Sequence, residues 1–320
     1  MKRLGLVKAG ALEPFVRFLR ANDVNLTPHF LNANIPPDLI TRNDSWLPKQ
    51  QVYTFLSDVA AAHDMEALGL IVGDQICVAD LGDLGKEIYK CKGLEGACNQ
   101  FAALVPKLAE GNTAAVTTSG GATWFTYQTT DHRRGNRDYA DHYGMMMLLS
   151  VVRLVAGHWY PKEVKIQTGA CDAFDQHPAW KDTRVEFDAD ATGIAFPAKW
   201  LCRPVPKPPT ELKSTSGQDG YASNPPETLA RSLEIVLAAY LNLGGLPSLD
   251  MVAESLNMST RTLKRRLSEE GETYSALTDR IRIRVGEKLL QGPEHSVTEV
   301  AFILGYSGPT TTSGAKGVSV

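Results

Sequence analysis

Apolar residues recur at helical spacing through the first third of the chain. Leu12, Phe15 and Leu19 fall on one stripe of a helix expected over Leu12 to Ala21. Pro48 can start another, with Val52, Phe55, Leu56 and Val59 facing inward. Leu94 to Glu110 repeats the signal with Leu94, Cys98, Phe101, Val105 and Leu108. The texture then changes. Thr113 to Ser119 and Ala122 to Thr129 are rich in Thr, Val and aromatics and join through Gly120 and Gly121, which predicts a β-hairpin. Asp138 to His158 is expected to be a long helix with Tyr139, Tyr143, Met146, Leu149 and Val152 inward. Val164 to Thr168, Arg184 to Phe187 and Gly193 to Phe196 are expected to be short strands. Helices and strands do not alternate regularly, so the first body is α+β.

Arg203 to Glu227 is crowded with Pro, Ser and Gly and poor in apolar residues, the composition of an extended linker. The expected organisation is a body over residues 1–206, a linker over 207–226 and a second body over 227–320. The second opens with a helix over Glu227 to Leu241 that carries Leu229, Leu233, Val236 and Tyr240 on one face.

Beyond that helix the chain writes one pattern twice. SLDMVAESLNMS at Ser248 to Ser259 returns as SVTEVAFILGYS at Ser296 to Ser307. The shift pairs Leu249 with Val297, Val252 with Val300, Ala253 with Ala301 and Leu256 with Leu304. Each copy predicts a short amphipathic helix, closed by a residue that tolerates a left-handed backbone: Asn257 in the first, Gly305 in the second. A small Ala in the stripe admits a second backbone, and a Ser then caps a second helix. This is a helix-turn-helix pattern. In TRTLKRRLSEE, Leu263 and Leu267 face Val252 and Leu256, which leaves Arg261, Lys264, Arg265 and Arg266 outward. Such a helix suits the major groove of double-stranded DNA, where Arg or Lys donates to guanine O6 and N7. Thr273 to Leu290 is expected to be one connecting helix of roughly 27 Å, with Tyr274, Leu277, Ile281, Val285 and Leu289 on one face. It can hold two reading heads about one DNA turn apart, and Arg280, Arg282 and Arg284 on it can reach phosphates.

A net charge of −3 over 320 residues would argue weakly against a nucleic-acid binder if it were uniform, but the cations cluster in this C-terminal segment. Five cysteines without a CxxC indicate neither a disulfide framework nor a cysteine zinc site, which fits a reduced cytoplasm. The opening MKRLGLVKAG is interrupted by Lys8 well short of a signal-peptide core, and the most apolar run, Gly144 to Gly157, by Arg153. No membrane partner is expected.

These residues resemble the AraC/XylS-type bacterial transcription regulators. The resemblance rests on the paired units, the basic helix, the EEG stop at Glu269 to Gly271, the RIRIRVGEKLL connector and VAFILGYS, and is specific from about Ser248 to Ser307. It implies an all-α DNA-binding domain with two helix-turn-helix units. One departure stands out. After GYS the family carries an aromatic or Leu anchor, an Arg and a Phe, whereas this chain has Thr312, Gly314 and Lys316 there. Two glycines and several threonines make a poor helix, so the second unit is expected to be atypical or truncated. More loosely, Gly5 to Pro206 resembles the arabinose-binding-like effector domain of one branch of the family, by its order of elements, the helix before WYPKEVKI and the strand-rich FPAKWLCRPV end. That implies a regulatory, dimerising domain for an unidentified small-molecule effector, without implying a sugar. RNA polymerase is a further partner the resemblance allows. Ser259, Thr260, Arg261, Thr262, Lys264, Arg265 and Arg266 are the expected DNA-binding residues. Arg261, Lys264 and Arg265 are placed at base edges, with Thr262 and Arg266 nearer phosphates.

Other chemistry carries less weight. His132, Asp138, Asp141 and His142 lie close in sequence, but the adjacent Asp141 and His142 cannot share a helix face, so no metal or other cofactor is expected. Asp172, Asp175 and His177 precede Pro178 as a turn. GDLGKEI at Gly82 to Ile88 lacks the earlier Gly and the following Ser or Thr of a phosphate loop, and Thr117 stands where a nucleophile elbow needs Gly. No enzyme is expected. Trp124, Phe125 and Tyr127, with Met145 to Met147, are either core or the wall of a pocket for an apolar effector.

Overall fold

The computed structural model describes residues 5–40, 45–130, 137–209, 226–241, 245–256, 258–291 and 296–305. The chain divides into two compact units, Met1–Glu227 and Thr228–Val320.

The first unit runs through β1 (Leu6–Lys8), α1 (Glu13–Ala21), α2 (Thr27–Asn32), β2 (Trp46–Pro48), α3 (Lys49–Ala62), α4 (Leu68–Asp74), α5 (Gly82–Tyr89) and α6 (Leu94–Leu108). It continues with β3 (Asn112–Ser119), β4 (Ala122–Thr129), α7 (Asp138–Ala156), β5 (Glu163–Lys165), α8 (Ala173–Gln176), β6 (Arg184–Glu186) and β7 (Thr192–Pro197). β1 and β2 form a small antiparallel sheet. The larger sheet has the order β3-β4-β7-β5-β6; only the β5–β6 pair is parallel. This is an α+β arrangement.

Helix α7 is the core element, with Met145, Met146, Leu148, Leu149, Val151 and Val152 buried against α6, β4 and β7. Glycines let neighbours come close to it, among them Gly73 and Gly144. A Cβ on Gly73 would lie 2.4 Å from the Met146 Cβ, so α4 can press on α7 only without one. A Cβ on Gly144 would lie 2.7 Å from the Tyr127 ring, so this glycine makes room for Tyr127 of β4. The stripes expected of α1, α3 and α6 are buried, with Leu108 half-buried.

Several expectations need correction. Tyr139 is half-buried rather than inward, because the first turn of α7 lies at the edge of the core. Of the three short strands, β5 begins one residue earlier and ends three residues earlier than expected, β6 ends one residue earlier, and β7 is longer by one residue at each end. Asp172 to His177 is α8 followed by a short 3-10 turn, in which the His177 ring accepts from the Ala179 amide. GDLGKEI is the start of α5, and α2, α4, β1 and β2 have no counterpart in the pattern read above; all are short and gain stability from tertiary packing rather than from periodicity. The Pro-rich stretch read from Arg203 starts inside the first body: the Leu94 amide donates to the Arg203 carbonyl and the Val205 amide to the Lys92 carbonyl. Most of the expected linker lies outside the described residues.

The second unit is helical: α9 (Leu229–Leu241), α10 (Leu249–Ser255), α11 (Thr260–Glu269), α12 (Tyr274–Leu290) and α13 (Val297–Ile303). Leu229, Leu233, Val236 and Leu237 of α9 pack with Leu277 and Ile281 of α12, all buried. Tyr240 at the end of α9 is half-buried, and so are Tyr274, Val285 and Leu289, since the connector presents its full apolar face only over its middle turns.

Candidate nucleic-acid interface and ligand cavity

The first repeat forms two helices meeting at a bend. Ser248 caps α10, its Oγ accepting from the Met251 amide at 3.2 Å, and Ser259 caps α11, accepting from the Thr262 amide at 3.2 Å. The Thr260 hydroxyl donates to Asp250 Oδ1 at 2.9 Å and ties the starts of the two helices together. Leu263 and Leu267 are fully buried with Val252, Ala253 and Leu256, and each buried Leu contributes about 2 kcal/mol. Arg261, Lys264 and Arg265 are exposed, and Thr262 and Arg266 half-buried. Arg265 pairs with Glu269 one turn on, a contact between exposed groups that DNA can replace. The hydroxyls of Ser259, the expected N-cap, and of Thr260, the first residue of α11, are thus engaged in holding the bend. Asn257 lies outside the described residues.

The connector's arginines are engaged differently. Glu234 of α9 is buried, and its carboxylate takes Arg231 at 2.5 Å, Arg284 at 2.8 Å and Arg280 at 3.3 Å. Burial raises this carboxyl, and the guanidiniums around it more than reverse that, holding it below its usual range. Arg282 reaches Asp279 at 3.1 Å and donates to the Leu304 carbonyl at 3.3 Å, closing the end of α13. Glu270, directly after α11, accepts from the amides of Leu229 and Ala230 at 2.9 and 2.8 Å, so it caps α9. The sequence did carry one signal for Glu234: it shares the α9 stripe with Leu233 and Leu237.

The second repeat forms α13. Ser296 and Glu299 make a reciprocal capping box, and Gly305 closes the helix at φ +78°. Val300 and Leu304 are buried, whereas Val297 and Phe302 are exposed, Phe302 at 82%. Ser307 and the degenerate segment after it lie outside the described residues.

The first unit holds a partly open cavity of about 580 Å³. Its wall comes from β1, α1, α3, the turn before α5, α6, β4 and α7, and is mainly apolar, with Phe15, Val52, Leu56, Phe101, Val105 and Met147 on it. Of the expected pocket residues Tyr127 and Met147 line it, while Phe125, Met145 and Met146 are core. Trp124 lies on the opposite face of β4, under the Lys165 ammonium at 4.9 Å. Strand alternation puts 125 and 127 on one face and 124 on the other.

Polar groups gather at one part of the wall. The Lys49 ammonium, on a residue only 4% exposed, donates to Asn112 Oδ1 at 2.6 Å and Thr129 Oγ1 at 3.3 Å. Asp141 contacts Arg137 at 3.1 Å and accepts from the Tyr127 hydroxyl at 2.7 Å. Burial lifts its carboxyl to about 6 against the opposing pull of Arg137 and Tyr127, and pushes the His142 imidazole down to about 4. The two residues diverge: the His142 ring faces Cys171 at 3.6 Å. His132 lies outside the described residues; among the described residues no group of three metal-ligating side chains occurs. Sequence reasoning passed over Lys49, yet it sits at i−3 from Val52 and i−7 from Leu56, a cation on the apolar stripe of α3. Among the described residues no helix is long and apolar enough to cross a membrane.

An α+β unit that holds a cavity, followed by a helical unit with a capped helix-turn-helix, defines a helix-turn-helix regulator. Residues 24–205 match the family described as the arabinose-binding domain of AraC transcription regulator, N-terminal, and residues 252–315 match a helix-turn-helix domain. The first match spans more than half of the chain, and the chain belongs to the AraC-type transcription regulators that carry this N-terminal domain. An uncharacterized HTH-type transcriptional regulator of Mycobacterium tuberculosis is 40% identical over 72 residues, 22% of this chain and 21% of that protein. The HTH-type transcriptional regulator VqsM of Pseudomonas aeruginosa is 41% identical over 61 residues, 19% of each chain. The chain thus spans about a fifth of the length of the curated relatives it matches. The crystal structure of the transcriptional regulator CdpR from Pseudomonas aeruginosa is similar with a TM-score of 0.41 and 18% identity, over 93% of this chain and 90% of that one.

Proposed function

We propose that this chain is a sequence-specific DNA-binding regulator whose α11 enters the major groove and whose first unit responds to a small-molecule effector. The reading divides the chain into an effector and dimerisation domain over 1–206, a linker over 207–226 and a DNA-binding domain over 227–320. One observation carries it: α11 buries Leu263 and Leu267 and exposes Arg261, Lys264 and Arg265 on a corner held by two Ser caps. Arg261, Lys264 and Arg265 read base edges, and Thr262 and Arg266 sit nearer phosphates. The cavity of the first unit is the effector site, of a size that suits a small organic ligand. The working form is a cytoplasmic homodimer that meets RNA polymerase at the promoter.

Replacing Arg265 with Ala tests the reading. The loss is expected to be about 1 to 3 kcal/mol on a site selected from random DNA and much less on unrelated DNA. Equal losses on both reduce Arg265 to a phosphate contact. A second reading draws on the TTTSGAKG segment, where the second recognition helix belongs, and on the exposed Val297 and Phe302 of α13. In it the chain senses its ligand and dimerises, with impaired DNA binding. Titrating affinity against salt separates the two: a steep slope favours the regulator, a flat one the impaired relative.

A further inference from the structure

The chemistry of the cavity wall narrows what can fill it, given the reading above that the first unit senses a small molecule. We propose that the cavity takes an amphipathic molecule with one carboxylate head and an apolar body, and not a sugar.

The head is placed by Lys49. Its side chain lies in the cavity wall, and Asn112 Oδ1 at 2.6 Å and Thr129 Oγ1 at 3.3 Å fix its ammonium, which sets where an incoming anion meets it. Lys49 is also the first residue of α3, a helix of 14 residues, so the positive end of the helix dipole adds to the ammonium at the same corner. A second buried ammonium, Lys8, lines the wall as well, held 4.3 Å over the Trp46 ring. The carboxylates on the wall are each engaged: Asp141 with Arg137 and Tyr127 and, through space, with Lys49, Glu13 with Arg17, Asp80 with the Cys77 amide. A ligand carboxylate therefore meets buried cations in a low-dielectric pocket, where a charge-assisted hydrogen bond is strong.

The body is placed by Phe15, Val52, Leu56, Phe101, Val105 and Met147, which offer carbon and no hydrogen bonds. A sugar carries a hydroxyl on nearly every carbon, and each one set against these six side chains would lose its partner, at a cost comparable to a lost hydrogen bond. An alkyl or aryl body loses nothing by entering.

The test uses the full chain and four probes in calorimetric titration: phenylbutyrate, phenylbutanol, phenylbutylamine and arabinose. Phenylbutyrate is expected to bind at least tenfold tighter than the alcohol or the amine, and arabinose not at all. The wild-type series decides the question without a variant. Lys49→Met is expected to bring phenylbutyrate down to the level of phenylbutanol and to leave phenylbutanol unchanged. The alcohol or the amine binding as tightly as the acid overturns the carboxylate assignment and leaves the cavity an effector site. Arabinose binding without phenylbutyrate overturns it in the same way. If none of the four binds, the proposal and the effector reading of the cavity both fall.

Discussion

The two units use their cations in opposite ways. In the first, Lys8, Lys49 and Arg137 are all buried, each held against named partners: a ring face, an amide and hydroxyl, a carboxylate. In the second, Arg261, Lys264 and Arg265 of α11 stand in solvent above a buried pair of leucines. A buried charge survives only with partners that offset its desolvation, so it is tied to one geometry. An exposed one stays available to a polyanion arriving from outside. Arg280 and Arg284 of α12 lie between, half-exposed but gathered on Glu234.

This contrast can be broken at four points. Arg137→Met leaves Asp141 buried without its guanidinium and is expected to cost about 3 to 5 kcal/mol at pH 7.5. The sign with pH follows from Asp141: its folded carboxyl, raised to about 6, favours the protonated form. The stability it contributes is therefore full below the unfolded value near 3.8 and lost as pH rises through 6. Urea unfolding should show the penalty of Arg137→Met shrinking at pH 5, where the carboxyl is neutral in both proteins. An undiminished penalty at pH 5 would mean that Arg137 acts by packing. Next, Leu267→Ala is expected to destabilise the second unit by about 3 kcal/mol and to lose DNA binding with it, because the cationic face is presented only while the apolar face is buried.

Smaller effects sharpen the comparison. Glu234→Gln keeps the shape and removes the charge that gathers three guanidiniums; these are about half-exposed, so about 1 kcal/mol is expected in thermal unfolding. A loss several times larger would put that cluster on the same footing as the buried cations of the first unit. Arg265→Ala should change stability by no more than about 0.5 kcal/mol while weakening the selected DNA site, the mark of a side chain used outside the fold.

Legibility followed the same division. The repeat at Ser248 and Ser296 was plain because a helix-turn-helix is local: cap, stripe and turn all fall within a dozen residues. The long helices α6 and α7 and the hairpin of β3 and β4 were plain for the same reason, each carrying many periods of its pattern. What the pattern does not carry is short or non-local. β1 and β2 have three residues each and exist through their pairing with one another, with the Glu110 carboxylate receiving the amides of Gly5 and Leu6. The cavity draws its wall from segments as far apart as Val7 and Met147, a convergence that no window of sequence contains.

From its sequence alone the chain determined the class of each unit, the corner that exposes Arg261, Lys264 and Arg265, and the family it resembles, since these depend on periodicity and capping over a few turns. Only the tertiary structure decided which cations are held inside. Whether Lys49, Arg137 or Arg280 meets solvent or a partner depends on residues 4 to 80 positions away, brought together by packing. Desolvation is set by that neighbourhood and not by the residue type, and so it has no signature in the order of residues.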